Sequence, residues 1–196
     1  MRNIAYFVFT AFVCFGMSEQ SFALDTLKVD QSHSSVIFSI RHIFSRVHGR
    51  FSTYDGSVVY DSTSLEKSFI SIVLQAKSIN TDNQNRDEDL RSPNFFSTDS
   101  FPTATFTSKR FFKSKEGMFV EGKLTIHGIT KEITAPVEVL GYASSKERVF
   151  GGFRSEFKIN RKDFGIVWNR TLDIGGTLLG DEVTITVDVE ARMQKG

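Results

Sequence analysis

The sequence predicts an all-β protein whose strands close into a barrel or stack as a sandwich; an eight-stranded antiparallel β-barrel with one short helix between strands is expected. Three observations lead there. About eight runs alternate strictly between apolar and polar residues, which gives a strand one buried and one solvated face. Between Leu24 and Gly196 no long stretch carries a helical period. The chain also holds 20 phenylalanines against one tryptophan and four tyrosines, an apolar payload suited to a core or an apolar pocket.

The runs follow in order. Val36, Phe38 and Ile40 alternate with Ile37, Ser39 and Arg41, and a strand is expected through residues 56–60. Ile70, Ile72, Leu74 and Ala76 form the next apolar face, then Ala104, Phe106 and Ser108. Val120, Gly122, Leu124 and Ile126 alternate with Glu121, Lys123 and Thr125. Ile133, Ala135, Val137 and Val139 follow, then Phe153, Ser155, Phe157 and Ile159. The last run is the cleanest, with Val183, Ile185, Val187 and Val189 set against Thr184, Thr186, Asp188 and Glu190. Turns are expected at Lys115-Glu116-Gly117 and His127-Gly128. The one helical candidate spans residues 81–90, capped by Thr81 or Asp82 and ending before Pro93. With no linker or repeat, the chain reads as one domain.

Polar residues on the outer face of the last strand exclude a transmembrane barrel, which needs apolar residues toward lipid. The 24 basic and 23 acidic residues leave a net charge of +1, so no overall field recruits nucleic acid or an anionic surface. The N-terminus reads as a targeting segment. Arg2 precedes an apolar stretch at residues 4–15, and Ser21-Phe22-Ala23 offers a cleavage site, so residues 1–23 are expected to leave as a signal peptide. The apolar run is short for a membrane span. An uncleaved anchor is the rival reading, and Phe12-Val13 before Cys14 argues against a lipoprotein. Cys14 is the sole cysteine and leaves with the signal. The mature domain, residues 24–196, is therefore expected to be free of thiols and periplasmic, with no stable membrane insertion.

An eight-stranded barrel is near the size at which side chains either fill the interior or enclose one ligand. Small residues at inward positions (Ala76, Ala104, Gly122, Ala135, Ser155) leave volume there, and pattern alone leaves the filled and the hollow barrel equally open.

A series of short motifs then carries a resemblance. Asp30-Gln31-Ser32-His33-Ser34 opens the first strand, and Gly49-Arg50-Phe51 and Ser78-Ile79-Asn80-Thr81 follow. Next come Arg86-Asp87-Glu88-Asp89-Leu90-Arg91-Ser92, Asn94-Phe95-Phe96 and Phe101-Pro102-Thr103-Ala104. Leu124-Thr125-Ile126-His127-Gly128-Ile129-Thr130-Lys131 and Arg161-Lys162-Asp163-Phe164-Gly165-Ile166 with Trp168 are the most specific. In order and spacing the mature chain resembles the YceI-like family of bacterial periplasmic proteins. The resemblance implies a lipocalin-like barrel whose elongated cavity holds a polyisoprenoid or another long-chain lipid. One departure is Glu88-Asp89, where a histidine is expected before the leucine.

The ligand-binding candidates follow from the inward register and the resemblance. Phe38, Ile40, Phe51, Ile72, Leu74, Phe106, Val120, Leu124, Val137, Phe153 and Phe157 are expected to form the walls. Arg86, Asp87, Leu90, Phe95 and Phe96 are expected at a polar end, where Arg86 could meet a carbonyl, hydroxyl or phosphate. The alternative for that segment is a solvated helix with local Arg–Asp pairs. Phe164 and Trp168 either line the tunnel or plug it.

No catalytic motif is present: there is no Gly-x-Ser-x-Gly elbow, phosphate loop or His-Glu-x-x-His. His33, His42, His48 and His127 lie on separate segments without metal-ligand spacing. No metal, cofactor or nucleic acid is expected, and the sequence leaves a homodimer open. Binding, carriage or sequestration of a long apolar ligand such as a polyisoprenoid, an isoprenoid quinone or a fatty acid or amide is the leading function. The rivals are an enzyme acting on an isoprenoid or quinone and a filled structural barrel. Export is directly measurable: the intact mass of protein released from the cell envelope should place Leu24 first, and retention of Cys14 would refute cleavage.

Overall fold

The computed structural model describes residues 26–144 and 149–193. The expected signal segment lies outside the described residues.

Eleven strand segments and one α-helix make a single antiparallel sheet closed on itself. The segments are β1 (Thr26–Val29), β2 (Ser35–His42), β3 (Ser45–Phe51), β4 (Tyr54–Val59), β5 (Phe69–Gln75) and β6 (Ile79–Asn80). Then follow α1 (Gln84–Arg91), β7 (Thr103–Ser114), β8 (Gly117–Ile126), β9 (Ile129–Ser144), β10 (Val149–Asn160) and β11 (Leu179–Met193). β1 with β2, β3 with β4, and β5 with β6 are bent continuations of one another, because β2 pairs β3 while β1 pairs β4, and β3 pairs β6 while β4 pairs β5. The result is an eight-stranded up-and-down barrel. β11 closes it by pairing with β2 through Leu179 to Asp188 and with β1 through Ala191 to Met193.

Of the three bent strands the sequence pattern shows only the middles. β1 is too short to alternate visibly, and β3 hides its inward face behind Gly49. A side chain there would strike the Phe38 ring, with an ideal Cβ 2.3 Å from its Cζ. Gly122 is inward too, but the volume it vacates is taken by Phe106, whose ring would lie 2.6 Å from an added Cβ. Ala76 does not lie on a strand; it is buried in a 3-10 turn after β5. The helix begins later than expected. Asn83 is the N-cap, its side chain accepting from the Arg86 N–H, which frees Thr81 for another task. His127-Gly128 forms a two-residue hairpin turn with φ of 52° and 73°, the type I′ geometry that matches strand twist.

Two packed clusters bound the interior. Leu27, Val58, Val149, Phe153, Val189 and Ala191 form the floor. Phe95, Ala104, Leu124, Ile126, Phe164 and Ile166 pack at the opposite end, beside α1. Outside, charged pairs such as Lys158–Glu182 (2.8 Å) and Arg154–Asp188 (3.4 Å) face solvent. Among the described residues no helix is long and apolar enough to cross a membrane.

One polar latch sets the bend between β1 and β2. Asp30, 7% exposed, accepts from the Ser32 N–H (3.1 Å), the Ser32 hydroxyl (2.6 Å), His33 Nδ1 (3.0 Å) and Arg192 Nη2 (3.0 Å). The Ser32 and then the His33 hydrogen bonds hold its carboxyl down to about 2. A folded pKa below the ordinary value of 3.8 stabilises the fold above that value, and the contribution is lost as pH falls toward 2. Asp30→Asn should therefore be less stable than wild type at neutral pH, with the difference vanishing near pH 2. Denaturant midpoints measured across that range test this, and a pH-independent difference would contradict it.

Candidate functional site: an apolar cavity through the barrel

The wall residues alternate in and out by the period of the strand, so every second side chain of β2, β5, β7, β8, β10 and β11 points to the axis. Together they enclose a cavity of about 340 Å³, within the range of small-molecule sites. It runs from Tyr60, Phe153 and Val189 at the floor to His42, Arg86, Leu90, Trp168 and Leu178 at the mouth. Along β11 the lining extends from Leu179 to Val189. At about 3.3 Å per residue and a strand tilt near 40°, that is a depth of about 25 Å.

The cavity collects nearly all the candidates. Phe38 and Ile40 come from β2, Phe51 from β3, Ile72 and Leu74 from β5, and Phe106 from β7. Val120 and Leu124 come from β8, Val137 from β9, and Phe153 and Phe157 from β10. Arg86, Leu90, Phe95, Phe96, Phe164 and Trp168 line its upper end. Trp168 lines and plugs at once, since its ring packs on Phe95 with centroids 5.2 Å apart. Of the small residues, Ala104, Ala135 and Ser155 border the void, and Ser155 spends its hydroxyl on the Pro136 carbonyl at 2.7 Å.

Asp87 is the exception and a correction. It is buried outside the lining, where its carboxylate accepts from the Thr81 N–H (2.8 Å) and hydroxyl (2.6 Å). Its work is to fix the start of α1. Arg86 is held by the same residue, donating from Nε to the Thr81 hydroxyl (2.8 Å) and from Nη2 to the Thr81 carbonyl (2.9 Å). Neither forms the local Arg–Asp pair weighed for this segment. The guanidinium is left fixed at the mouth, next to Asp89.

The residue most missed by sequence reasoning is Arg161. It is 4% exposed and donates to the carbonyls of Gly180 (2.9 Å), Ile166 (2.7 Å) and Trp168 (2.8 Å), with Asp181 at 3.3 Å. Burial pulls its pKa down and Asp181 opposes this, so it stays a cation. The Lys162 hydrogen bond, with Arg161, holds Asp181 below the usual carboxylate range. Four acceptors around one guanidinium tie the chain after β10 to the start of β11. The run Arg161-Lys162-Asp163-Phe164 carried part of the resemblance but did not announce this geometry. Tyr60 at the floor and His42 at the mouth were also missed as lining.

Two chemistries can be weighed on distances. Ser32, His33 and Asp30 are adjacent, but the Ser32 hydroxyl lies 3.4 Å from His33 Nδ1, the nitrogen that Asp30 already engages. No second imidazole nitrogen is set as a base toward the serine, as a triad requires. Asp30, His33 and Glu190 bring ligand atoms within 4.8 Å of one another. There the Arg192 guanidinium supplies the positive charge at Asp30 Oδ2. His127 is structural, with Nδ1 3.2 Å from the Phe164 carbonyl and its ring 4.5 Å from Phe101.

Residues 27–191 match the family model described as a YceI-like domain. A UPF0312 protein of Staphylococcus aureus is 39% identical over 82% of this chain and 94% of its own length. The crystal structure of the YceI protein of Campylobacter jejuni is 31% identical and superposes with a TM-score of 0.68 over 80% of this chain and 91% of that one. A polyisoprenoid binding domain from Saccharophagus degradans has the same fold at 15% identity, with a TM-score of 0.63 over 88% and 100% of the two chains.

Arg161→Met removes the donors of three carbonyls and should lower stability by about 2–4 kcal/mol. Arg161→Lys should recover only part of it, since one ammonium cannot reach four divergent acceptors. Urea unfolding of both variants measures the loss, and two variants as stable as wild type would show that the carbonyls find other donors.

Proposed function

The chain belongs to the YceI-like family, and from that premise we propose that its barrel carries or sequesters one long apolar molecule in the periplasm without chemistry on it. The observation that carries the reading is the continuous cavity from Tyr60 to Leu178, lined almost throughout by apolar side chains, with Thr105, Arg154 and Ser155 the polar residues between its ends. Its depth of about 25 Å takes a fully extended long-chain tail, isoprenoid or acyl alike, and a polyisoprenoid or isoprenoid quinone is preferred over a fatty acid or amide on likeness in fold alone. The polyisoprenoid binding domain of Saccharophagus degradans, alike in fold, supports the same class of ligand.

The tail would thread toward Phe153 and Tyr60, and its polar end would stay at the mouth within reach of Arg86. Affinity then comes mostly from the tail, at about 0.8 kcal/mol per CH₂ removed from water before ordering costs. Apolar walls count carbons and barely read end groups, so selectivity for a particular head group rests on Arg86, Asp89 and His42 alone. Residues 24–196 act as one unit, exported by the N-terminal segment. Among the described residues no triad is assembled at the cavity wall, and His42 and Asp89 sit at the mouth rather than along the apolar interior, which favours binding over catalysis.

Mass spectrometry of lipids extracted from the purified native protein tests the reading directly, and repeated recovery of no long-chain lipid would overturn it. A second test fills the void. Ala135 is 2% exposed, faces the cavity from β9 and packs with Phe111 and Val120. The ring of Ala135→Phe should enter the cavity, holding the thermal midpoint within a few degrees while abolishing retention of a fluorescent polyprenol. A packed interior would instead lose about 1–3 kcal/mol.

A further inference from the structure

Three bulky apolar side chains stand in water at the mouth end of the barrel. Phe44, in the turn between β2 and β3, is 90% exposed; Ile174, at the tip of the loop before β11, is 74% exposed; Val167 is 62% exposed. They belong to one surface. The Ile43 N–H donates to the Leu178 carbonyl (2.9 Å), and Arg41 Nη1 donates to the carbonyls of Ile43 (3.0 Å) and Thr177 (3.4 Å). The turn that carries Phe44 is thus clamped to the base of the loop that carries Ile174, while Val167 precedes in sequence Trp168, which lines the mouth. A two-residue hairpin turn ordinarily takes Asn, Asp or Gly. Here Ile43 adopts a φ of 50°, costly for a β-branched residue, and a phenylalanine follows it.

Charge gives a second, independent observation. Arg41 and Arg170 flank the tips, and Arg46 lies just below them on the barrel wall, donating to the Ser39 hydroxyl (2.7 Å) and carbonyl (3.3 Å) and to the Thr184 hydroxyl (3.4 Å); all three are exposed, and none forms an ion pair with a carboxylate among the described residues. Elsewhere on the barrel wall, by contrast, Arg110, Arg154 and Lys158 are each paired. Asp173 stands beside Ile174 on the loop tip, and the same end of the barrel also carries Asp163 and, on α1, Glu88 and Asp89, all exposed. Around the tips, guanidinium without a carboxylate partner is therefore confined to the β2–β3 hairpin and the loop before β11.

We propose that this rim docks the barrel, mouth down, on an anionic phospholipid bilayer. Phe44, Val167 and Ile174 enter the boundary between head groups and acyl chains, and the three arginines meet lipid phosphates. The proposal rests on reading the cavity as a lipid site, because docking gives the ligand an apolar path from bilayer to barrel past Leu178 and Trp168. Three shallow side chains and three arginines give weak, reversible attachment, as a carrier that must leave the membrane requires.

Flotation with phosphatidylcholine vesicles, with and without phosphatidylglycerol, tests the docking. Phe44→Ser with Ile174→Ser removes the apolar tips, and Arg46→Gln with Arg170→Gln removes charge; wild type and variants share one N-terminus, so any contribution of residues 1–23 cancels. Wild type should bind the anionic vesicles and release them at high salt. The arginine pair should weaken binding roughly thirtyfold at about a tenfold factor per 1.4 kcal/mol, and the apolar pair at least about tenfold. Fluorescent polyprenol retention in detergent should be unchanged in both. Variants that float like wild type overturn the proposal, as does a wild type that binds no vesicle or buries the tips in a dimer by sedimentation. If polyprenol is never retained yet the rim variants lose flotation, the cavity reading fails and the docking surface stands.

Discussion

The hydrogen bonds between β1 and the end of β11 convert a sheet with two free edges into a tube. Leu27 and Ala191, both with no exposed surface, lie two residues apart in this ladder and belong to the floor cluster. Because β11 must pair with β2 above and β1 below, the chain has to turn sharply between them. Asp30 is the residue that makes the turn, with Ser32 and His33 on one side and Arg192 of β11 on the other. The Tyr54 hydroxyl, donating to the Ser34 and Gln31 carbonyls, braces the same bend from β4; burial, then the nearby Asp30 charge, raises its pKa. Unclasped, the sheet would expose an apolar inner face along its length, and the cavity would become a cleft.

Once closed, an eight-stranded barrel leaves room for one layer of side chains or one ligand. Where those side chains are placed decides between the two. Rings are concentrated at both ends: at the floor Tyr60 meets Tyr142 and Phe153 edge to face, with centroids 5.2 and 5.5 Å away, and Phe95, Trp168 and Phe164 pack above. The waist carries Ala135 and Ser155, which reach less far inward. Gly49 and Gly122 look equivalent in sequence but create no void, because Phe38 and Phe106 occupy their space. An inward glycine next to a phenylalanine marks a ring laid flat on the wall, whereas an inward alanine marks depth.

That distinction bounds what was legible from residues alone. Alternation places Val120, Leu124, Phe157 and Val187 on the inner face, because a period of two admits only one register for each run. Barrel and cavity walls therefore follow from pattern, and the polar end follows from the motif around Arg86. What pattern misses has physical causes. β1 and β6 are too short for a period, and β3 presents Gly49 where an apolar residue would have announced it. Asp87 and Arg86 are neighbours in sequence, yet Thr81 turns the first carboxylate away from the cavity and fixes the second side chain at its mouth. Arg161 was invisible as a buried group because its partners are backbone carbonyls, which no residue identity encodes.

Strand pairing also makes the two ends of the tube unequal. The ladder between β9 and β10 runs from Val149↔Ser144 to Arg154↔Glu138 and stops there. Pro136 follows on the β9 side toward the mouth, and proline has no N–H to give. From there β9 pairs only with β8, through Val137 to Ile129, and β10 only with β11. The seam is bridged by the Ser155 hydroxyl on the Pro136 carbonyl and by the packing of Ile133, Phe157 and Ile159. Opening it breaks side-chain contacts and one hydrogen bond, while opening the floor breaks continuous ladders. Local separation is therefore cheaper in the upper half of the barrel, the half that holds the mouth. A proline in one strand thus makes one wall of the barrel easier to part at the α1 end while the ladders of the floor stay continuous.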